Sequence, residues 1–284
     1  MSPDLLAVLL GLLSAMTLAA VNAVVKAGRD ILMARVVLSV TAAILTIPFA
    51  FLVPLPTGPL WIAIGFSLVA HALYQFGLIQ ALSRGDLSLV FPVMRGGAPI
   101  LVAAAAYVFL DEALLLHEWI GLIIATIGTL GFIFRAGFTD ATRKAGQAAL
   151  GFAFFTACAI ALYSVLDARG VRLAETALTY IVWLFILDGV QMGLAGFFVR
   201  GRNVIDDGIK IWRYGLTAAL GYIISFGALL LAFDLTEAAR ASALRESAVV
   251  SGALFGWWFL KEGFGPRRMV FATIVAVGLA MMNL

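Results

Sequence analysis

The sequence predicts an all-α membrane protein with ten transmembrane helices arranged as an inverted 5+5 repeat. Composition, recurring apolar segments and an internal repeat lead to this fold class. The chain has 284 residues, of which 63% are hydrophobic and 12% are charged, whereas soluble proteins average about 25% charged residues. Because so few polar side chains cannot cover a water-exposed surface, the composition predicts an integral membrane protein.

Apolar segments recur along the whole chain, and each is long enough to cross a hydrocarbon core of about 30 Å as a helix. The connections between them are too short to hold a soluble domain. The ten predicted segments are 4–25, 30–52, 60–83, 86–109, 115–135, 146–166, 174–199, 211–234, 236–259 and 267–283. The first segment lacks the basic region of a signal peptide, so we expect it to be retained.

Basic residues concentrate in the loops that follow the odd-numbered helices. These residues are Lys26, Arg29, Arg84, Arg135, Arg143, Lys144, Arg200, Arg202, Lys210, Arg213, Lys261, Arg267 and Arg268. The other loops carry only Arg169, Arg172 and Arg240 near the membrane. The positive-inside rule then places both termini on the non-cytoplasmic side. We attribute these charges to topology rather than to a nucleic-acid or lipid-specific role, and predict no nucleic-acid partner.

Two stretches of the sequence can be superposed at a constant offset of 150 residues. The matching pairs are "QFGL" at 75–78 with "SFGA" at 225–228, "VMRGGA" at 93–98 with "ALRESA" at 243–248, and "FLDE" at 109–112 with "FLKE" at 259–262. We therefore divide the chain into a first five-helix repeat, 1–140, and a second, 141–284. Because five is odd, the second repeat enters the membrane in the opposite sense, as in many secondary transporters.

The block "ALSRGDLSLVFPVMRGGAP", the segment "FLDEALLLHEWIGLIIATIGTLGFI" and its echo "FLKEGFGPRRMVFATIVAVGLAMM" resemble the EamA-type members of the drug/metabolite transporter superfamily. The similarity covers essentially the whole chain. It is most specific at Glu112 and Glu262 and in the glycine-bearing helices that follow them. The resemblance implies ten helices, alternating access, and export or import of small metabolites across the bacterial inner (plasma) membrane. We interpret Glu112 and Glu262 as groups that anchor loops.

Two arginines are predicted at one depth. Arg95 and Arg245 each lie nine residues inside their helices, or about 14 Å at the helical rise per residue. Because the two helices start on opposite faces of a core of about 30 Å, both guanidinium groups lie near the middle. A charge at this depth is costly unless it is paired or hydrated, so it marks a candidate functional site.

The deep carboxylates in the predicted helices are Asp188 and Glu246. Glu246 follows Arg245 directly and points about 100° away around a helix, so we expect it to brace a neighbouring helix, whereas Asp188 can pair with one arginine. Two interpretations remain open. The four residues form a static structural network, or at least one arginine binds an anion, because its planar fork suits carboxylate or phosphonate oxygens.

The backbone around Arg95 is predicted to be irregular. Pro92 and Pro99 each remove a helical hydrogen bond, and Pro99 frees the carbonyl of Arg95 itself. Gly96 and Gly97 let the backbone loosen. Since irregular backbone at membrane depth occurs where it is buried in protein or lines a wet cavity, we predict a hinge whose freed carbonyl accepts from an ammonium group. A packing kink is the alternative.

The third predicted helix carries a polar stripe that should face the interior of the bundle. Ser67, His71, Tyr74 and Gln75 lie at positions i, i+4, i+7 and i+8 of one helix face. His71 is a candidate proton carrier because imidazole titrates near neutral pH, and its alternative role is interhelical hydrogen bonding. The proton-coupling candidates are His71, Glu246 and Asp188, and further substrate-binding candidates are Asn22, Tyr163, Tyr222 and Ser225.

Motifs for catalysis, nucleotide binding or metal binding are absent from the sequence. The two histidines, His71 and His117, lie at different predicted depths, so we predict no metal site, no cofactor and no enzymatic activity. We predict a carrier that moves a small amino-acid-like, carboxylate-bearing or phosphonate-bearing metabolite through a lipid bilayer. The alternatives are an exporter of cationic or hydrophobic drugs with structural arginines, a membrane-embedded enzyme or lipid-modifying subunit, and a non-transporting assembly partner.

Overall fold

The computed structural model describes residues 2–27, 30–84, 87–131, 143–248, 251 and 266–282. Within these ranges the chain is helical and contains no strand, which confirms the predicted all-α class. Seven stretches in this part of the chain are long and apolar enough to cross a membrane, so the protein is a multi-pass membrane protein. They are Pro3–Val21, Ile31–Phe51, Gly58–Arg84, Val93–Leu110, Gly146–Leu173, Ala177–Arg200 and Trp212–Leu235.

Helices are numbered here in chain order over the described residues. They are α1 (Pro3–Ala27), α2 (Ile31–Thr46), α3 (Gly58–Arg84), α4 (Leu87–Gly96), α5 (Ala98–Leu110), α6 (Leu116–Gly131), α7 (Arg143–Leu173), α8 (Ala177–Arg200), α9 (Asn203–Lys210), α10 (Trp212–Leu235), α11 (Ala238–Arg245) and α12 (Pro266–Met282). A 3-10 helix, Ile47–Phe51, follows α2.

The predicted count of ten spans stays a prediction. Besides the seven long stretches, the described residues include two shorter apolar helices, Leu116–Gly131 and Met269–Met282. The predicted span 236–259 and the candidate Glu262 fall partly or wholly outside the described residues. The predicted span 30–52 is a helix that tightens from α to 3-10 at Ile47, because Pro48 cannot donate the next helical hydrogen bond.

The chain forms two compact units. Unit 1 comprises Met1–Val69 and Leu166–Leu235, and in it α1 packs on α10 while α2 packs on α8 and α10. Close packing of α2 on α8 depends on Gly189, because a Cβ atom there would lie 2.7 Å from the carbonyl oxygen of Ser39. Such contacts between small residues and backbone are a common means of packing membrane helices.

Unit 2 comprises Ala70–Val165 and Thr236–Leu284. Within it α6 packs on α12, α5 on α11 and α4 on α6. Both units take residues from both halves of the sequence. The predicted division at residues 140 and 141 concerns sequence similarity between repeats, which a division by compactness does not test, so that division stays a prediction.

The predicted helix 86–109 is interrupted near its middle. Helix α4 ends at Gly96, Gly97 forms a bend, and α5 begins at Ala98 with Pro99 in its first turn. The hydrogen bonds from Gly97 N–H to the Val93 carbonyl and from Leu101 N–H to the Gly97 carbonyl are both long, at 3.4 Å. Pro99 has no N–H to donate, and proline is favoured in the first turn of a helix. The interruption therefore lies directly after Arg95.

Candidate functional site

A buried ion pair joins α4 to the end of α11 within unit 2. Arg95 Nη2 lies 3.0 Å from Glu246 Oε1, and the two side chains are 9% and 4% exposed. The pair links one residue from each half of the sequence. Arg95 Nε and Glu246 Oε2 have no hydrogen-bond partner in the described part of the chain. Buried polar atoms normally have a partner, so both groups keep bonding capacity.

The expectation for Glu246 has to be corrected. We expected this residue to brace a neighbouring helix and Asp188 to pair with an arginine, but the described partner of Arg95 is Glu246. The 100° offset separates Glu246 from Arg245, its neighbour in the chain, and does not prevent the carboxylate from reaching Arg95 on α4. Glu246 follows the last residue of α11, its backbone stays in the right-handed helical region at φ −68° and ψ −18°, and its N–H donates to the Ala243 carbonyl at 2.9 Å.

Arg245 adds a second positive charge beside the same carboxylate. Its side chain is 6% exposed, and its charge acts on Glu246 together with that of Arg95. The cluster of Arg95, Arg245 and Glu246 thus brings two guanidinium groups and one carboxylate together, and Coulomb interactions between them are strong where water is excluded.

Aromatic side chains from α3 and α7 lie beside this cluster in unit 2. The phenols of Tyr74 and Tyr163 interact electrostatically with Arg95. The His71 ring stacks on Tyr163 at 4.5 Å between centroids, and Tyr74 meets Tyr163 edge to face at 5.3 Å. Gln75, on the same helix, is 4% exposed. Five of the predicted binding residues, together with Arg245, therefore belong to unit 2.

The start of α11 is held in place by two glutamates of the first half of the sequence. Glu112 Oε2 accepts a hydrogen bond of 2.8 Å from the N–H of Ala238, the first residue of α11. Glu118, which is 2% exposed, forms a salt bridge with Arg240. Negative charge at a helix N-terminus is favourable because unpaired N–H groups point towards it. These contacts position the short helix that carries Arg245.

The motif analysis missed Glu118 and Arg240 as members of this arrangement. Arg240 was assigned to membrane topology, and Glu118 was not singled out. The available signal was the spacing of Glu118 from the N-terminus of α6, where its Oε2 also accepts a hydrogen bond of 2.5 Å from the N–H of Leu115. A carboxylate three residues into a helix commonly caps that helix.

The remaining predicted site residues make their described contacts within unit 1. Tyr222 meets Phe185 edge to face at 5.2 Å, and the Arg35 guanidinium lies 5.9 Å from the centre of its ring. Ser225 Oγ donates to the Ser14 carbonyl at 2.8 Å, so this hydroxyl stabilises the packing of α1 on α10. The side chain of Asn22 lies outside the described residues.

Asp188 is a buried carboxylate on α8. It is 2% exposed, and neither of its oxygens has a hydrogen-bond partner in the described ranges. Its expected pairing with an arginine is therefore not observed there. A carboxylate in this environment is costly in its charged form, and its predicted proton-coupling role remains a prediction.

Asp167 is a second buried carboxylate, which the sequence reasoning overlooked. The predicted span ended at residue 166, but α7 continues to Leu173 and Asp167 is fully buried. Its Oδ1 accepts hydrogen bonds from Tyr180 Oη at 2.7 Å and from Ser67 Oγ. All three residues belong to unit 1. The network joins three helices, α3, α7 and α8.

We expect Asp167→Asn to lower the thermal stability of the purified protein. Both hydroxyls donate to Oδ1, and a neutral amide oxygen accepts hydrogen bonds more weakly than a carboxylate oxygen. The amide also places an NH2 donor where Asp167 has its second oxygen. Hydrogen bonds to charged groups contribute about 1.5–3 kcal/mol each. Thermal unfolding in detergent measures the effect, with Ser83→Ala on an exposed part of α3 as the control. An unchanged midpoint for Asp167→Asn would contradict a stabilising role of the network.

Comparison with known proteins gives a family match over the second half of the chain and a likeness in fold. Residues 147–284 match the model of the EamA-like transporter family, so the predicted resemblance is confirmed over this part of the chain. A solved structure named only "Crystal structure of protein" has a TM-score of 0.74 at 16% identity, covering 99% of this chain and 98% of that chain. At this identity the likeness establishes the fold alone. No curated protein matches the sequence.

Proposed function

We propose, on the premise that residues 147–284 belong to the EamA-like transporter family, that the chain is a secondary transporter of a small anionic or zwitterionic metabolite. The family match supports a membrane transporter of the drug/metabolite transporter superfamily. The finer assignment, to an amino-acid-like cargo that bears a carboxylate or phosphonate, rests on the site. In this proposal the protein has no enzymatic activity and requires no cofactor.

The observation that supports the proposal is the buried pair of Arg95 and Glu246. Arg95 Nε and Glu246 Oε2 have no hydrogen-bond partner in the described part of the chain, so each charged group of the pair keeps an atom that can bind a ligand. Arginine binds carboxylate and phosphonate oxygens in two-point contacts, and the Nε atom of Arg95 remains available for such a contact in the described part of the chain.

A zwitterion suits this cluster better than a simple anion. Its carboxylate or phosphonate would take the place of the Glu246 carboxylate on Arg95, and its ammonium group would take the place of Arg95 on Glu246. Both buried charges then keep a partner of opposite sign, so breaking the 3.0 Å pair does not strand either one. Leaving one member of a buried pair without compensation is strongly unfavourable.

The transport cycle we propose is alternating access about this site in the inner membrane. Ten helices form an inverted 5+5 repeat, residues 1–140 and 141–284, with both termini on the non-cytoplasmic side. The interruptions after Arg95 in α4 and at Glu246 after α11 occur at nearly matching positions of the two proposed repeats. Such discontinuous helices are typical of substrate sites in inverted-repeat transporters. Pro92, Gly96, Gly97 and Pro99 are the proposed hinge.

Coupling to protons is assigned in this proposal to His71, Glu246 and Asp188. Contacts within unit 2 connect His71 through Tyr163 to the cluster, so a change of charge on its imidazole would be sensed by Arg95. Tyr74, Gln75 and Tyr163 are proposed substrate-binding residues of unit 2. Asn22, Tyr222 and Ser225 remain proposed binding residues on the strength of the sequence pattern.

The test is ligand binding and transport by the double variant Arg95→Gln/Glu246→Gln. Both members of the pair lose their charge, so neither leaves the other as an uncompensated buried charge, and we expect the variant to fold. Amino acids, aminophosphonates, dicarboxylates and quaternary amines are screened by thermal shift. A ligand that binds the folded state raises its stability by mass action, and we expect an anionic or zwitterionic class to stabilise the unmodified protein.

We expect the double variant to lose this ligand-induced shift and to lose uptake into proteoliposomes. The matched control is Arg213→Gln, which removes an exposed arginine that lies over the Trp212 ring. This control should keep both binding and uptake. Stabilisation by quaternary amines alone, or full transport by the folded double variant, would contradict the anionic cargo.

A further inference from the structure

An apolar groove lies on the surface of unit 2 between α3 and α7. It has a volume of about 290 Å³ and is lined by Phe76, Ala148, Gly151, Phe152 and Phe155. Phe76 and Phe155 are 52% and 39% exposed. In a membrane-spanning region, exposed apolar side chains of this kind are in contact with hydrocarbon.

Gly151 forms the open floor of the groove. A Cβ atom at this position would have no heavy atom within 4 Å, so the space in front of it belongs to the groove. The ring of Phe76 lies 6.1 Å from that of Phe152 and 6.5 Å from that of Phe155, both edge to face. The three rings thus form the aromatic part of the groove lining.

A cationic group lies at one end of this groove. The Arg84 guanidinium carbon is 4.9 Å from the centre of the Phe152 ring, and Arg84 Nη1 donates to the Gln80 carbonyl at 3.2 Å. Arg84 is the last residue of α3, eight residues beyond Phe76, or about 12 Å along the helix. The Arg84 guanidinium therefore lies at the mouth of the groove beside the Phe152 ring, and the aromatic lining continues from there to Phe76.

Arg84 places a positive charge at this end of the groove. The predicted topology places this end of both helices on the cytoplasmic side, where the leaflet is anionic. A neutral lipid would leave this positive charge unused, so charge complementarity favours an anionic headgroup.

We propose that this groove binds one acyl chain of an anionic glycerophospholipid, with the lipid phosphate bound by Arg84. Arg84 then has a role beyond the topological one assigned from the sequence. Its cation–π contact and its hydrogen bond to Gln80 hold the guanidinium at the mouth of the groove. The proposal concerns a lipid site, is independent of the transported cargo, and uses no residue of the Arg95 cluster.

The test measures lipid binding to the full-length protein in nanodiscs made of phosphatidylcholine with increasing phosphatidylglycerol. Native mass spectrometry gives the lipids retained, and thermal unfolding gives the stabilisation. We expect Arg84→Gln to reduce the preference for phosphatidylglycerol about fivefold, the factor expected for one arginine at a membrane surface. Glycerol phosphate alone, which has no acyl chain, should not bind measurably to the unmodified protein or to Arg84→Gln.

Gly151→Leu fills the groove and should abolish the tightly retained lipid while leaving Arg84 in place. The matched control is Gly65→Leu, because Gly65 is also an exposed glycine of a membrane helix with no heavy atom within 4 Å of a Cβ atom. An equal preference for phosphatidylglycerol in the Arg84→Gln and unmodified proteins would overturn the headgroup contact. If Gly151→Leu retains as much lipid as the unmodified protein, or if Gly65→Leu loses as much lipid as Gly151→Leu, the groove is not the lipid site. Binding of glycerol phosphate would contradict the role of the acyl chain and indicate a site for free phosphate.

Discussion

Glu246→Gln should destabilise the protein more than Arg95→Gln, although each substitution breaks the same 3.0 Å ion pair. In Arg95→Gln the Glu246 carboxylate still interacts with the charge of Arg245. In Glu246→Gln two buried guanidinium groups lose the negative charge that acts on both. Removing one partner of a buried pair typically costs about 3–5 kcal/mol. We expect Glu246→Gln to fall in this range and Arg95→Gln below it.

The double variant should recover much of this loss, because it strands neither charge of the pair. Equilibrium unfolding of the two single variants and the double variant in detergent gives the coupling energy of the pair. The control is Arg200→Gln, which removes an exposed salt bridge between Arg200 and Asp30 and should cost at most about 1 kcal/mol. If Arg95→Gln is as unstable as Glu246→Gln, the charge of Arg245 does not stabilise the Glu246 carboxylate in the absence of Arg95.

The outcome bears directly on the mechanism. If Glu246→Gln leaves the Arg95 charge uncompensated, a simple anion should stabilise this variant more than it stabilises the unmodified protein, since the ligand supplies the missing charge. A zwitterion should not show this gain, because its ammonium group loses Glu246 as a partner. Stability and binding are thus two measurements of one electrostatic imbalance. Equal shifts induced by a simple anion in the two proteins would indicate that the anion does not compete with Glu246.

The helical membrane fold could be predicted because its signals are local. A stretch of about 20 apolar residues is sufficient to predict a spanning helix, and Pro99 next to Gly97 is sufficient to predict an interruption. Both signals depend only on residues near each other in the chain. The structure places the bend at Gly97, within the stretch that the prolines and glycines singled out.

The pairing of charges could not be predicted, because it depends on which helices are neighbours. Glu246 pairs with Arg95 on α4, a residue far away in the chain. Asp167 was overlooked for a related reason. Charged residues near 167–172 suggested a loop, yet α7 continues to Leu173, and the Arg172 side chain donates to the Phe233 carbonyl at 2.9 Å. Tertiary partners stabilised a helical turn that composition alone disfavoured.

Gly278→Ala should be the most damaging of the glycine substitutions in unit 2, because a Cβ atom there would lie 2.6 Å from the carbonyl oxygen of Gly121 and in contact with the backbone N of Ala125. The corresponding substitution on the facing helix, Gly121→Ala, would place a Cβ atom 2.6 Å from the Gly278 carbonyl oxygen. Backbone atoms cannot rotate away as side chains do, so α6 and α12 must separate. Overpacking of this kind costs about 1–3 kcal/mol, and sometimes more.

The separation of α6 from α12 should also displace the cluster of Arg95, Arg245 and Glu246. This effect distinguishes the prediction from a local loss of packing. Helix α6 also packs on α4, which carries Arg95, and α12 packs on α11, which carries Arg245. We therefore expect Gly278→Ala to weaken ligand binding as well as lower the unfolding midpoint, and the double variant with Gly121→Ala to cost less than the sum, since one displacement relieves both clashes. The control for both glycine substitutions is Gly65→Ala. No heavy atom lies within 4 Å of the Cβ position at residue 65, so the higher helix propensity of alanine should leave the stability of this variant equal or slightly raised. Strict additivity of the two substitutions, or a Gly278→Ala variant as stable as Gly65→Ala, would show that α6 and α12 do not approach this closely.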